Sequence, residues 1–178
     1  MKADILVQRY LSQGDIAAVR ELLGNYEEGL YGYLWHMLKH QQDCEDALQD
    51  TFRKALEALP YYREEKHFKS WLFRIGHNTG IEFIRRRKRI LEMPEKLEDQ
   101  MIVPSSGPRE SLIQRELIEE LHDAIANLPL LERAVVLLRL EEELSFKEIA
   151  KVVDAPLGTV LARMHQAKKR LRAKLITI

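Results

Sequence analysis

The chain has 178 residues, 46% of them apolar and 31% charged, with 28 basic against 28 acidic residues and no net charge. That length suits one large domain or two small ones, and that composition excludes a disordered tail and a membrane-embedded protein. No apolar run approaches the roughly 18 residues needed to cross a bilayer. The start, Met1-Lys2-Ala3-Asp4, lacks the apolar segment and cleavage site of a secretory signal. One cysteine, Cys44, rules out an internal disulfide and fits a reducing cytoplasm.

Apolar residues recur at spacings of three and four in three successive stretches: Ile16, Val19, Leu22 and Leu23; then Leu30, Leu34, Met37 and Leu38; then Ala47, Leu48, Phe52, Ala55, Leu56 and Leu59. Each spacing predicts a helix with one buried face. Pro60 interrupts the third, because proline disfavours helical geometry in the residue before it. A long helix resumes near Phe68, carries Trp71, Leu72 and Ile75, and runs into Arg85-Arg86-Arg87-Lys88-Arg89. The segment 91–111 holds Pro94, Pro104, Pro108 and Ser105-Ser106-Gly107, a density that blocks regular helix. It reads as a flexible acidic linker, with five acids (Glu92, Glu95, Glu98, Asp99, Glu110) against Lys96 and Arg109. Beyond it, Leu117, Leu121, Ile125 and Leu128 share one helical face, Pro129 marks a break, and Val135, Val136, Leu138 and Leu140 belong to the next helix. The expectation is an all-α fold: two small helical domains, residues 1–90 and 112–178, joined by the linker 91–111.

The most informative local pattern begins at Leu144. Ser145 and Glu148 have the spacing of a capping box. Phe146, Ile149, Val152 and Val153 form an apolar face, Asp154-Ala155-Pro156 ends that helix, and Pro156 suits the first turn of the next. Val160, Met164 and Ala167 can pack inward on the second helix. Two short helices with a tight turn have the geometry of a helix-turn-helix, whose second helix enters the major groove. Arg163, Lys168, Lys169, Arg170, Arg172 and Lys174 follow on it with no acid after Asp154, which suits backbone phosphates. An ordinary helical hairpin would give the same local pattern without the cations.

Three features of the N-terminal half carry two readings each. The acidic stretch from Asp43 to Phe52 either complements a helix dipole or forms a docking face, with Asp46 and Asp50 four apart on one side. Tyr61, Tyr62, Phe68 and Trp71 precede Arg74 and Asn78, also four apart. Aromatics beside hydrogen-bond donors suit single-stranded DNA. Phe68 and Trp71 also suit a core, which leaves Tyr62 as the better stacking candidate. The basic run at 85–89 either stabilises a helix C-terminus or binds phosphates. His36, His40 and Cys44 are spaced as metal ligands would be on a continuous helix, but a helix break is expected between Lys39 and Asp43. No metal or cofactor is expected, and no catalytic constellation is present in the sequence.

Taken together, these motifs resemble the extracytoplasmic-function (ECF) sigma factors, the minimal group of the sigma-70 family of bacterial RNA polymerase. Residues 43–52 are similar to the family's region 2.2. Residues 68–78 are similar to regions 2.3 and 2.4. Leu128-Pro129 with Glu132-Arg133, then residues 144–150 and 156–160, are similar to region 4. The resemblance implies a non-enzymatic specificity subunit that binds core RNA polymerase, recognises promoter DNA and acts in the cytoplasm under the control of an anti-sigma factor. It implies polymerase contacts at Asp43, Asp46, Gln49, Asp50 and Phe52. It implies −10 element contacts at Tyr62, Arg63, Trp71, Arg74, Asn78, Arg85 and Arg86. It implies −35 element contacts at Thr159, Ala162, Arg163, His165, Gln166, Lys168 and Lys169, with the linker threading into polymerase near the RNA path.

Three residues depart from the family pattern. Leu161 stands where a lysine or arginine is common, Gln166 replaces a frequent arginine, and Cys44 replaces a common alanine. A missing cation weakens phosphate attraction, and a changed base-edge residue alters preference. The competing reading is a stand-alone helix-turn-helix regulator, which would leave the Asp43 helix and the aromatic-basic segment without a purpose.

Overall fold

The computed structural model describes residues 2–63, 67–91 and 121–175. It is all-α with no strand among the described residues, and it divides into two compact units, one built on the helices of residues 2–91 and the other mainly on those of residues 121–175. The anticipated linker 91–111 lies outside the described residues except for Leu91, which ends a helix, and Leu117 also lies outside.

The first unit contains α1 (Lys2–Gln13), α2 (Ile16–Leu38), α3 (Gln41–Ala58), a 3-10 turn (Leu59–Tyr61) and α4 (Phe68–Leu91). Helix α1 is not among the amphipathic stretches anticipated; it seats Leu6 and Val7 and packs on α2. Gly14 leaves it at φ +67, and Asp15 then caps α2, accepting from the Ala18 amide at 3.1 Å and from Arg9 at 2.6 Å. Ile16, expected on the buried face, is 70% exposed, because the cap places it at the first helical position. The first two apolar stretches form one 23-residue helix; Gly24 sits inside it without breaking it.

Helix α2 is the centre of this unit. Leu22, Leu30, Tyr33 and Leu34 are fully buried on it, against α3 and α4. Burying each such side chain contributes about 1.5–3 kcal/mol before entropy is counted. Helix α4 approaches α2 through two glycines one turn apart. A Cβ on Gly76 would stand 2.5 Å from Leu30 Cδ1, and one on Gly80 would stand 3.2–3.4 Å from Met37 and Leu34. On the same side of α4, the buried His77 shares a 2.7 Å hydrogen bond with Tyr33.

The helix break lies where it was expected. Lys39 takes the left-handed conformation (φ 53) and its amide bonds to Trp35 O at 2.9 Å. His40 then caps α3, its Nδ1 accepting from the Asp43 amide at 3.3 Å. His36, His40 and Cys44 therefore do not share one helix. The Cys44 thiol is buried and faces Tyr31 O at 3.5 Å.

In the second unit residues 121–126 are helical, followed by α5 (Leu130–Leu140), α6 (Phe146–Val152) and α7 (Leu157–Leu175). Pro129 caps α5 with extended backbone (φ −52, ψ 142), and its carbonyl accepts from the Glu132 and Arg133 amides. Leu137 rather than Leu140 completes the buried face of α5; Leu140 is 60% exposed at the last turn. The capping box forms as expected, with Ser145 N to Glu148 Oε2 at 2.9 Å and Glu148 N to Ser145 Oγ at 3.3 Å. Asp154 ends α6 in the left-handed region (φ 47), and the Ala155 amide reaches back to Ala150 O, the long-range bond of a Schellman stop. Pro156 caps α7 instead of entering its first turn: its carbonyl accepts from the Thr159 and Val160 amides. Val160, Met164 and Ala167 are buried, and α7 packs against α5.

Candidate functional site

Three polar surfaces result, each on the outer side of a helix whose inner side is fixed by packing. On α3, Cys44, Ala47, Leu48, Thr51 and Ala55 are buried. Asp43, Asp46, Gln49 and Asp50 therefore turn outward together, at spacings of three and four. Asp46 accepts from Gln42 at 3.0 Å, and Asp50 pairs with Arg53 at 3.3 Å, which also pairs with Glu57 at 2.8 Å. Exposed pairs of this kind contribute little, about 0–1 kcal/mol, and exchange readily for a partner's groups. Asp43 is more committed, lying near His40 at 3.5 Å and Arg87 at 3.9 Å. Phe52 sits half-buried on the flank of this face.

Helix α4 presents the second surface. With Gly76, His77 and Gly80 turned inward, Arg74, Asn78 and Arg85 fall on the opposite side; Asn78 and Arg85 are exposed and Arg74 is half-buried. Arg86 is exposed on the adjoining flank, and nearby Lys54 of α3 pairs with Glu82 at 2.7 Å and bonds Thr79 at 3.2 Å. Trp71 begins the same stripe but is buried in an aromatic cluster with Tyr62, Phe68 and Tyr26, ring centroids 5.1–5.6 Å apart.

The cluster overturns one expectation. Tyr62 does not stand clear for stacking; it is 8% exposed, edge-on to Phe68 and tilted against Trp71. The 3-10 turn decides this, because one more residue turns Tyr62 inward and leaves Tyr61 outside. Arg63 is exposed and its Nη1 donates to Pro60 O at 2.9 Å and Tyr62 O at 2.8 Å.

The third surface is α7. Ala162, His165, Gln166 and Lys169 are exposed opposite the buried meridian, while Thr159 and Arg163 are half-buried along one flank. Lys168 lies on the other flank, where it lines a shallow concavity with His165, Lys169 and Arg172. Leu161 is exposed, an apolar side chain among these cations. The basic tract is thus divided. Arg170 faces α5 and approaches Glu132 at 3.1 Å, in charge contact but off the hydrogen-bond line.

The family comparisons address the whole chain. Sigma-70 region 2 matches residues 22–90, and Sigma-70, region 4 matches residues 118–171. The RNA polymerase sigma-H factor of Pseudomonas aeruginosa is 30% identical over 174 residues, covering 93% of this chain and 90% of that protein. The chain belongs to the ECF group of the sigma-70 family. The ECF sigma factor SigW of Bacillus subtilis is 26% identical over 175 residues, covering 94% of each chain. Solved structures share the fold. CnrH, in complex with the cytosolic domain of CnrY, superposes with a TM-score of 0.71 at 24% identity over 99% of both chains. The sigma factor RpoE of Bartonella quintana, in complex with the anti-sigma factor NepR, superposes with a TM-score of 0.73 at 22% identity. It covers 88% of this chain and 95% of that one.

This sigma factor binds core RNA polymerase and directs it to promoters. The family implies a non-catalytic regulator, and the stand-alone regulator reading is not favoured. No described helix is long and apolar enough to cross a membrane.

Proposed function

We propose that the three outward faces divide the work of initiation among named residues. The α3 face of Asp43, Asp46, Gln49 and Asp50, with Phe52 at its edge, docks on core polymerase. The α4 stripe of Arg74, Asn78 and Arg85, flanked by Arg86 and Arg63, holds the opened −10 element. Trp71 and Tyr62 support that stripe from below. The outer face of α7 reads the −35 element, with Ala162, His165, Gln166 and Lys169 facing the groove. Arg163 and Thr159 on one flank and Lys168 on the other reach the two phosphate walls. Residues 1–90 and 112–178 act as the −10 and −35 domains on either side of a flexible linker.

The observation that carries this reading is the pairing of Gly76 and Gly80 with the Arg74–Asn78 stripe. Because α4 lies directly on α2, its outer side is held rigidly beside the α3 face. Unstacking a base costs a few kcal/mol, and a donor fixed beforehand recovers part of that cost only in the opened state. The chain works in the cytoplasm and is not an enzyme. An anti-sigma factor restrains it, by analogy with the complexes of CnrH and RpoE.

The test is gel filtration of the chain with core polymerase, Asp50→Arg serving as the variant. The wild type should co-elute and the variant should not, with both remaining folded. Co-elution of both would move the docking face elsewhere. Asn78→Ala should still co-elute but open a matched promoter poorly; full opening would remove the base-holding role.

A further inference from the structure

We propose that Leu161 and Ala162, near the start of α7, select a thymine of the −35 duplex through its 5-methyl group. This rests on the reading of α7 as the −35 surface and names the base-edge chemistry that surface accepts.

The apolar patch is fixed by what lies behind it. Val160, Met164 and Ala167 are buried, and Pro156 O accepts from the Thr159 and Val160 amides, so the rotation of α7 about its axis is set in its first turns. Gly158, Leu161, Ala162 and His165 follow at spacings of three and four, as neighbours on one helical face do, and all four are exposed. Leu161 is 45% exposed, so the core makes little use of it. The fold gives no reason for the glycine either. Gly158 is not left-handed, and a Cβ there would meet nothing within 4 Å. A missing side chain one turn before Leu161 lets a partner come close to the helix.

The surroundings define that partner. His165, Lys168 and Arg172 continue the flank on which Leu161 stands and line a shallow concavity with Lys169. No acid follows Asp154, so the apolar patch is set in a surface suited to a polyanion. Leu161 and Ala162 are the fifth and sixth residues of α7, in the early part of a recognition helix that meets base edges. In the major groove guanine, adenine and cytosine present donors and acceptors, whereas thymine adds an apolar methyl group. A leucine laid on a polar base edge strips its water and returns no hydrogen bond. Laid on the methyl group, it removes apolar surface from water on both sides.

The proposal is tested with holoenzyme and a −35 duplex selected from a randomised pool. Each thymine is then replaced in turn by deoxyuridine, which removes only the methyl group. With the wild type, one replacement should weaken binding by about 4-fold, the value of one methyl group returned to water. Leu161→Ala should bind the thymine and deoxyuridine duplexes alike at that position. Ala162→Ser should narrow the gap; an undiminished gap would remove Ala162 from the contact. Polymerase affinity should be unchanged in both variants. If every thymine can be replaced without loss while Lys169→Ala still lowers the salt slope, α7 is the −35 surface and methyl selection is refuted. If one methyl group matters equally to the wild type and to Leu161→Ala, it acts through the duplex or another residue and the proposal is overturned. If neither the deoxyuridine series nor Lys169→Ala alters binding, the −35 reading of α7 fails as well.

Discussion

Tyr33 of α2 and His77 of α4 share a 2.7 Å hydrogen bond between two side chains that are both buried. It is a polar tie in an apolar core, next to the glycines on which α4 rests. Burial also pushes the Tyr33 phenol far above its ordinary range, so it stays neutral at any working pH. Tyr33→Phe keeps the ring and removes the hydroxyl. We expect a loss of about 1–3 kcal/mol, read as a lower midpoint in urea with an unchanged slope. A variant as stable as the wild type would mean that the bond contributes nothing net.

The glycines of the first unit should separate by substitution to alanine. A Cβ at Gly76 collides with Leu30, whereas one at Gly24 meets nothing within 4 Å. Gly76→Ala should cost about 1–3 kcal/mol, the usual range for overpacking. Gly24→Ala, inside the same unit but open to solvent, should gain about 0.5–1 kcal/mol from the stiffer unfolded chain. Thermal melts of the two variants should move in opposite directions; a shared direction would contradict the packing described.

Cys44 should be inert. Burial first, then Glu45 and Asp43, push its thiol up to about 12 from an ordinary 9.0. A group raised in the folded state adds stability below its unfolded value and loses it as pH climbs toward the folded one. Stability should therefore fall between pH 9 and about 12, and Cys44→Ala should lose less over that interval. Near pH 8 a thiol reagent should label the native protein slowly and the urea-unfolded protein at once. Rapid native labelling would contradict the burial of the thiol.

The division of the basic tract on α7 predicts unequal salt effects. Lys169 is exposed and unpaired by geometry with α5, whereas Arg170 approaches Glu132. Lys169→Ala should lower the salt slope of holoenzyme binding to a −35 duplex by about one counterion. Arg170→Ala should leave the slope unchanged and cost at most about 1 kcal/mol of fold stability, because Arg170 is largely exposed. Equal slopes for the two variants would place both on the phosphates.

What the sequence revealed depended on the range of the forces involved. The Ser145–Glu148 box and the break before α3 are set by neighbours within a few residues and were legible. The break needed no glycine, since Lys39 itself takes the left-handed turn. Helix α1 carried a weaker signal: Leu6, Val7 and Tyr10 in a short run, closed by Gly14 before Asp15 caps α2. The burial of Tyr62 was not legible, because two adjacent tyrosines differ only in the phase of a 3-10 turn. Nor did the sequence reveal that Gly76 and Gly80 are contact points, since only the position of Leu30 and Met37 makes them so.

Those two glycines also restrict how the gene can change. Side chains can be exchanged along the outer side of α4 without touching α2, so under the −10 role proposed for that face promoter preference can drift there. The length of the helix cannot drift in the same way. One residue inserted between Gly80 and Arg85 would turn every later side chain by about 100°, carrying Arg85 away from Asn78 while the glycine contact still held the rest in place. Related chains should therefore vary in letters across 81–85 but not in count.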